Sequence, residues 1–221
     1  MAQRPFQLRL LFMFAGPVEK DISRHVRKAR EIYGPHNISL AVWPFEAKPV
    51  SAPYQALLDM TGSIDIDNNK DTTTNRPAAA DTIRKWARRC FADRVATHCP
   101  VVFCRLPRAS NPGVTFHFPD LLPEQPRSLA LVDPKFADDL PAALAHEIGH
   151  AAGLSSAELW SPADKKFQWN RASETVPYRL RNSGHSQNAD NLMFENEQAT
   201  GSALSPTQLD IIRRSYFAAQ L

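Results

Sequence analysis

Two histidines four residues apart, with a glutamate after the first, are the part of this 221-residue chain best equipped for chemistry: Ala145-His146-Glu147-Ile148-Gly149-His150. On a helix, positions four apart share one face about one turn from each other, so His146 and His150 can present imidazole nitrogens to a single ion. Glu147 falls beside them. From there its carboxylate can hold and deprotonate a metal-activated water without taking a coordination position. Zinc suits this donor set best, because it favours imidazole, and a catalytic site keeps three protein ligands and leaves a fourth position for water. The implied chemistry is metal-assisted hydrolysis, and its third ligand must come from elsewhere in the chain.

The elements that must position this motif are legible around it. Asp138 or Asp139 is expected to cap a helix running through Leu140, Leu144, Ile148 and Ala151 to Gly153, a good stop residue. Upstream, β-type runs at 100–106, 114–118 and Ser128–Val132, parted by Pro and Gly turns, predict three strands. At the start of the chain Phe6, Leu8, Leu10 and Phe12 alternate with Gln7, Arg9 and Leu11, which predicts a half-buried strand. Val18, Ile22, Val26, Ala29 and Tyr33 recur at helical spacing before Gly34 and Pro35, and a second strand is expected over 37–42. Residues 51–80, rich in Asp, Asn, Thr and Pro, read as a surface excursion.

A further helix is expected where Ile83, Trp86, Ala87, Cys90, Phe91 and Val95 form one apolar stripe, with Arg84, Lys85, Arg88 and Arg89 on a solvated face. Ser205-Pro206-Thr207-Gln208 is a capping box with proline at the first helical position, opening a final helix through Leu209, Ile212 and Tyr216. The expected fold class is therefore α/β (α+β), a twisted mixed sheet with packed helices in one domain over 1–221. Its larger part would span 1–154 and end in the motif helix, and a smaller part would span 155–221.

Composition narrows the rest. With 43% hydrophobic and 22% charged residues the chain is neither disordered, fibrous nor a coiled coil. No apolar run reaches the roughly 18 residues of a membrane span. A net charge of +3, from 26 basic and 23 acidic residues, does not mark nucleic acid or an anionic membrane as the main partner. Arg4, Arg9 and the apolar stretch 10–15 have the outline of a leader, but Arg9 leaves that stretch short and the alternation fits a strand. The expected location is thus cytoplasmic, or outside the cell by export without a cleaved leader. Cys90, Cys99 and Cys104 are too few for a disulfide framework and are expected as reduced core thiols, with one bridge as the alternative.

His146-Glu147-x-x-His150-x-x-Gly153-Leu154, followed by Gly184-His185-Ser186 and Asn191-Leu192-Met193, resembles the metzincin clan of zinc endopeptidases, and within it the matrixin pattern. The resemblance implies a peptidase with protein or peptide substrates, Glu147 as general base, and a zinc ion on His146, His150 and His185. It also implies a tight turn placing Met193 beneath the metal and a helix after that turn. By analogy the edge strand of the sheet binds substrate in extended form, and 113–118 is the candidate edge. An interior strand is the alternative there.

One departure stands out. The third ligand of the clan falls six residues after the second histidine, where this chain has Ser156, a poor zinc ligand. An insertion over 155–183 would bring His185 back to the metal. Glu158 and Asp164 are nearer acidic alternatives, and Glu195 or Glu197 would turn the site towards a gluzincin type. The insertion carries Trp160, Phe167, Trp169 and Tyr178, which suit either a specificity loop or a small core of its own, and Tyr178 is a candidate helper at the oxyanion. Met193 alone would read as an ordinary core methionine. His25, His36, His98 and His117 lack ligand spacing and are expected at surface or core positions. Ser156 also keeps a rival reading open, a non-catalytic zinc-binding or pseudo-protease interaction module.

Overall fold

A computed structural model of the chain describes residues 4–14, 22–49, 85, 87–89, 94–106, 112–117, 128–154, 158–161, 166–169, 189–194 and 201–221. The alternating first segment forms strand β1 (Phe6–Phe14), and it lies inside the sheet. Leu8, Leu10 and Phe12 face the main core, and Leu11 and Met13 between them are buried as well. The expected half-buried strand is thus covered on both faces, as interior parallel strands usually are.

Strands β2 (Ile38–Pro49) and β3 (Cys99–Phe103) flank β1 and run parallel to it. Strand β4 (Gly113–His117) pairs antiparallel with β5 (Ser128–Val132), which is parallel to β3, so the order is β2-β1-β3-β5-β4. The fold is a mixed α/β arrangement around a mostly parallel sheet, and β4 is the last strand of that path.

Helix α1 (Ser23–Tyr33) buries His25, Ala29, Ile32 and Tyr33. The predicted stripe holds, with Ala29 and Tyr33 buried and Ile22 and Val26 partly buried against the core, and His25 joins that face beside Val26. The reason is a partner: His25 Nδ1 donates to the Pro141 carbonyl at 3.1 Å, which lets a polar ring enter the core. Tyr33 Oη donates to the Ala145 carbonyl at 2.8 Å, so α1 is bonded both to the motif helix and to the turn that precedes it. Helix α1 ends at Gly34 as expected, but Gly34 does not itself reverse the chain. It stays right-handed at φ −54°, a short 3-10 turn follows, and Asn37 makes the left-handed reversal at φ 57°.

The motif helix α2 (Ala143–Gly149) starts later than predicted. Neither Asp138 nor Asp139 caps it, because Pro141 disfavours helical geometry at Leu140, and the N-cap is Ala142. Asp138 instead pairs with Arg24 of α1 at 2.7 Å. The C-terminal helix α3 (Pro206–Arg213) begins at the predicted capping box, with both of its bonds in place.

The sequence reading missed three strands. Residues 158–161 and 166–169, expected as loop, form the antiparallel strands β6 (Glu158–Ser161) and β7 (Lys166–Trp169), with Trp160 opposite Phe167 in register. Aromatic pairs favour strands, and the polar residues around them hid that signal. The third, β8 (Ala218–Gln220), is alanine-rich and owes its conformation to Phe6–Leu8 of β1, with which it pairs antiparallel.

Lys85 and Ala87–Arg89 are helical, with Ala87 buried and Arg88 and Arg89 exposed as the stripe predicts. Cys99 and Cys104 are buried free thiols, and Cys90 lies outside the described residues. Among the described residues no helix is long and apolar enough to cross a membrane.

Candidate metal centre

Helix α2 is seated by Ala143, Leu144, Ala145 and Ile148, all buried, which leaves its other face to carry His146 and His150. Their rings meet edge to face with centroids 4.6 Å apart, so the i, i+4 spacing does bring the imidazoles together. His146 Nδ1 lies 2.7 Å from the Leu192 carbonyl oxygen. A carbonyl only accepts, so Nδ1 carries a proton, and in the neutral ring the lone pair is then on Nε2.

At His150 the α-helix passes into a π-turn, His150–Leu154, and the His150 N–H reaches the carbonyls of both His146 and Glu147. Single π-turns are rare and are frequent at functional sites. Gly153 then takes φ 110°, a conformation that L side chains resist, and turns the chain away.

Glu147 is 4% exposed and its seat is made by β4. Thr115 Oγ1 donates to Glu147 Oε2 at 2.6 Å and is also 3.1 Å from the Glu147 backbone carbonyl. Two residues earlier, Gly113 leaves the carboxyl its space, for a Cβ there would fall 2.6 Å from Glu147 Cγ and 2.7 Å from Oε1. Burial pushes the Glu147 carboxyl up to about 8, against the opposing pull of the Thr115 hydroxyl. A carboxylate so desolvated is best kept ionised at neutral pH by a nearby positive charge, and a divalent cation on the adjacent imidazoles would supply one.

Met193 is fully buried against α2. A Cβ on Gly149 would meet its sulfur at 2.7 Å, so the helix approaches the methionine at the one residue without a side chain. The turn that carries it is held by Asn191, whose Oδ1 accepts from the Met193 N–H at 2.9 Å and whose carbonyl accepts from the Phe194 N–H at 3.1 Å.

The structure therefore gathers His146, Glu147, His150 and Met193. His185, Ser156, Asp164, Tyr178, Glu195 and Glu197 lie outside the described residues, and of Glu158 only the strand position is described. Among the described residues no set of three His, Cys, Asp or Glu side chains could hold a metal ion. His146 and His150 fit the zinc donor set by type and proximity, and the Leu192 carbonyl orients the His146 ring for that role.

Sequence reasoning missed Thr115, Gly113 and the Leu192 carbonyl. Nothing in a Gly-x-Thr run names the helix it will face, and a backbone oxygen has no sequence signature. Two of the remaining histidines are structural: His25 is in the core, and His98 is buried with Nδ1 3.0 Å from Thr97 Oγ1 and 3.1 Å from the Arg94 carbonyl. In comparison with known proteins, the chain matches no family model and no curated relative.

Proposed function

We propose that this chain is a zinc-dependent endopeptidase of metzincin type, with His146, His150 and His185 as metal ligands and Glu147 as general base. The observation that carries the reading is the His146 ring. Its Nδ1–H is tied to the Leu192 carbonyl, and the second imidazole of the motif stands against it. Metal-binding histidines typically have their other ring nitrogen bonded in this way. Met193 beneath Gly149 and the mixed sheet ending in an antiparallel strand support the same family reading.

Zinc held there would polarise a peptide carbonyl and acidify a water molecule. The proton transfers belong to Glu147. Its carboxylate takes one proton from the attacking water as oxygen bonds to the carbonyl carbon, then gives it to the nitrogen as the C–N bond breaks, leaving a carboxylic acid and an amine. Thr115 holds one carboxyl oxygen, which orients the base. Strand β4, last in the sheet path and bonded through Thr115 to Glu147, would take the substrate as an added strand through main-chain hydrogen bonds.

The test is zinc content per chain by elemental mass spectrometry for wild type, His185→Ala and Glu147→Ala, together with cleavage of a peptide library. The reading expects about one zinc in wild type, a large loss in His185→Ala, and retained zinc with no cleavage in Glu147→Ala. Full zinc in His185→Ala would move the third ligand to one of the acidic residues. A zinc-loaded wild type that cleaves nothing would favour the non-catalytic module, and a wild type without zinc would overturn the proposal.

A further inference from the structure

Helix α3 is capped more elaborately than a capping box requires. Gln208 Oε1 accepts from the Ser205 N–H at 2.8 Å and the Gln208 N–H donates to Ser205 Oγ at 3.2 Å, which satisfies the helix terminus. Yet Asn191 Nδ2 also donates to Gln208 Oε1 at 3.0 Å, and Gln208 Nε2 donates back to Asn191 Oδ1 at 3.1 Å. Both side chains are buried, at 5% and 4% exposure, so the reciprocal amide pair is shielded from water that would compete for it.

The same Asn191 oxygen accepts the Met193 N–H at 2.9 Å. That N–H belongs to the peptide unit whose carbonyl is Leu192 O. A trans peptide is planar with N–H and C=O pointing in opposite directions, so gripping the N–H aims the carbonyl the other way. The Leu192 N–H, in the peptide before, is held by the Ala203 carbonyl at 2.9 Å, which restrains the turn from its other end. What the aimed Leu192 carbonyl meets is His146 Nδ1, at 2.7 Å.

We infer that the buried Asn191–Gln208 amide pair is a positioning device for His146: it orients the Leu192–Met193 peptide so that the ring is held in its Nδ1–H tautomer with Nε2 as the donor. The relay runs from the start of α3 through one side-chain pair and one peptide plane to the imidazole. It rests on the zinc reading only for what Nε2 then binds.

Two readouts test it on the full chain. One is the tautomer of His146 by 15N NMR of the metal-free protein at about pH 8, well above the usual imidazole range. The other is zinc affinity by competition with a chromophoric chelator. Asn191→Ala and Gln208→Met are compared with Ser205→Ala, which weakens the same helix cap but leaves the amide pair intact.

Wild type is expected as a single Nδ1–H tautomer. Asn191→Ala is expected to mix the tautomers and to weaken zinc binding about 10-fold, the lower end for residues that orient metal ligands. Gln208→Met should move both readouts in the same direction and serves if Asn191→Ala does not fold. Ser205→Ala should lower thermal stability and move neither. An unchanged tautomer in both amide variants, or equal shifts in Ser205→Ala, overturns the inference. A pure tautomer lost in the amide variants, in a wild type that binds no zinc, supports it while overturning the peptidase reading.

Discussion

Thr115 on the last strand of the sheet and Glu147 on the motif helix are joined by a 2.6 Å hydrogen bond from hydroxyl to carboxyl. A carboxyl on a helix can swing through three side-chain torsions, and this bond selects one position beside the histidines. The strand that would hold an extended peptide therefore also holds the base that would act on it.

Thr115→Val removes the hydroxyl and keeps the shape. Hydrogen bonds to charged groups contribute about 1.5–3 kcal/mol, so kcat is expected to fall about 10- to 100-fold, with zinc content and KM unchanged. Thr115→Ser should restore most of the rate. Steady-state kinetics on a peptide selected from the library checks this, and a loss of zinc, or an equally slow Ser variant, would point to strand packing instead.

Gly113→Ala places a methyl group where the Glu147 carboxyl now lies, with Cγ at 2.6 Å and Oε1 at 2.7 Å from the new carbon. The carboxyl must give way, and displacement of a catalytic group by about 1 Å can cost about 100-fold in rate. Zinc should stay bound. Paired with Thr115→Val, the losses should be less than multiplicative because both act on one carboxyl. Independent, multiplicative effects would show that the two residues act on different things.

Gly153→Ala tests the turn that ends the motif helix. At φ 110° a Cβ is strained, and the loss expected in urea unfolding is about 1–2 kcal/mol. A neutral or stabilising result would mean that the π-turn relaxes to a right-handed end.

His25 predicts the acid limb of stability. Burial lowers its pKa below the ordinary 6.5, opposed by the Pro141 and Asp133 carbonyls and the Asp133 charge. Below about pH 6.5 the unfolded chain therefore binds a proton that the folded chain does not, so stability is full above that pH and falls as the pH drops beneath it. His25→Gln, which can still donate to Pro141, should flatten the decline between about pH 6.5 and 5. Urea unfolding at both limits measures it, and an identical slope in wild type and variant would rule His25 out.

Much of the site was legible because its signal is periodic. His146, Glu147 and His150 declare themselves by helical spacing, Ser205 and Gln208 by cap spacing, and Ser128–Val132 by an unbroken β-type run. Where the expectations slipped, a partner distant in sequence had decided the matter. Pro141 moved the start of α2, its carbonyl drew His25 into the core beside Val26, and Phe6–Leu8 made a strand of three residues that have little strand preference of their own. Gln208 was read as a cap and no more, because its bond to Asn191 spans 17 residues of chain that local pattern cannot cross.

The sequence by itself determined which side chains could do chemistry and that two of them share a helix face, since a 3.6-residue period is a local property of the backbone. Only the tertiary structure decided which nitrogen of His146 carries the proton, which hydroxyl holds Glu147 and what lies beneath Gly149. Those relationships depend on atoms brought together across 46, 32 and 44 positions of chain, and the packing of sheet, helix and turn that joins them is encoded in no single segment.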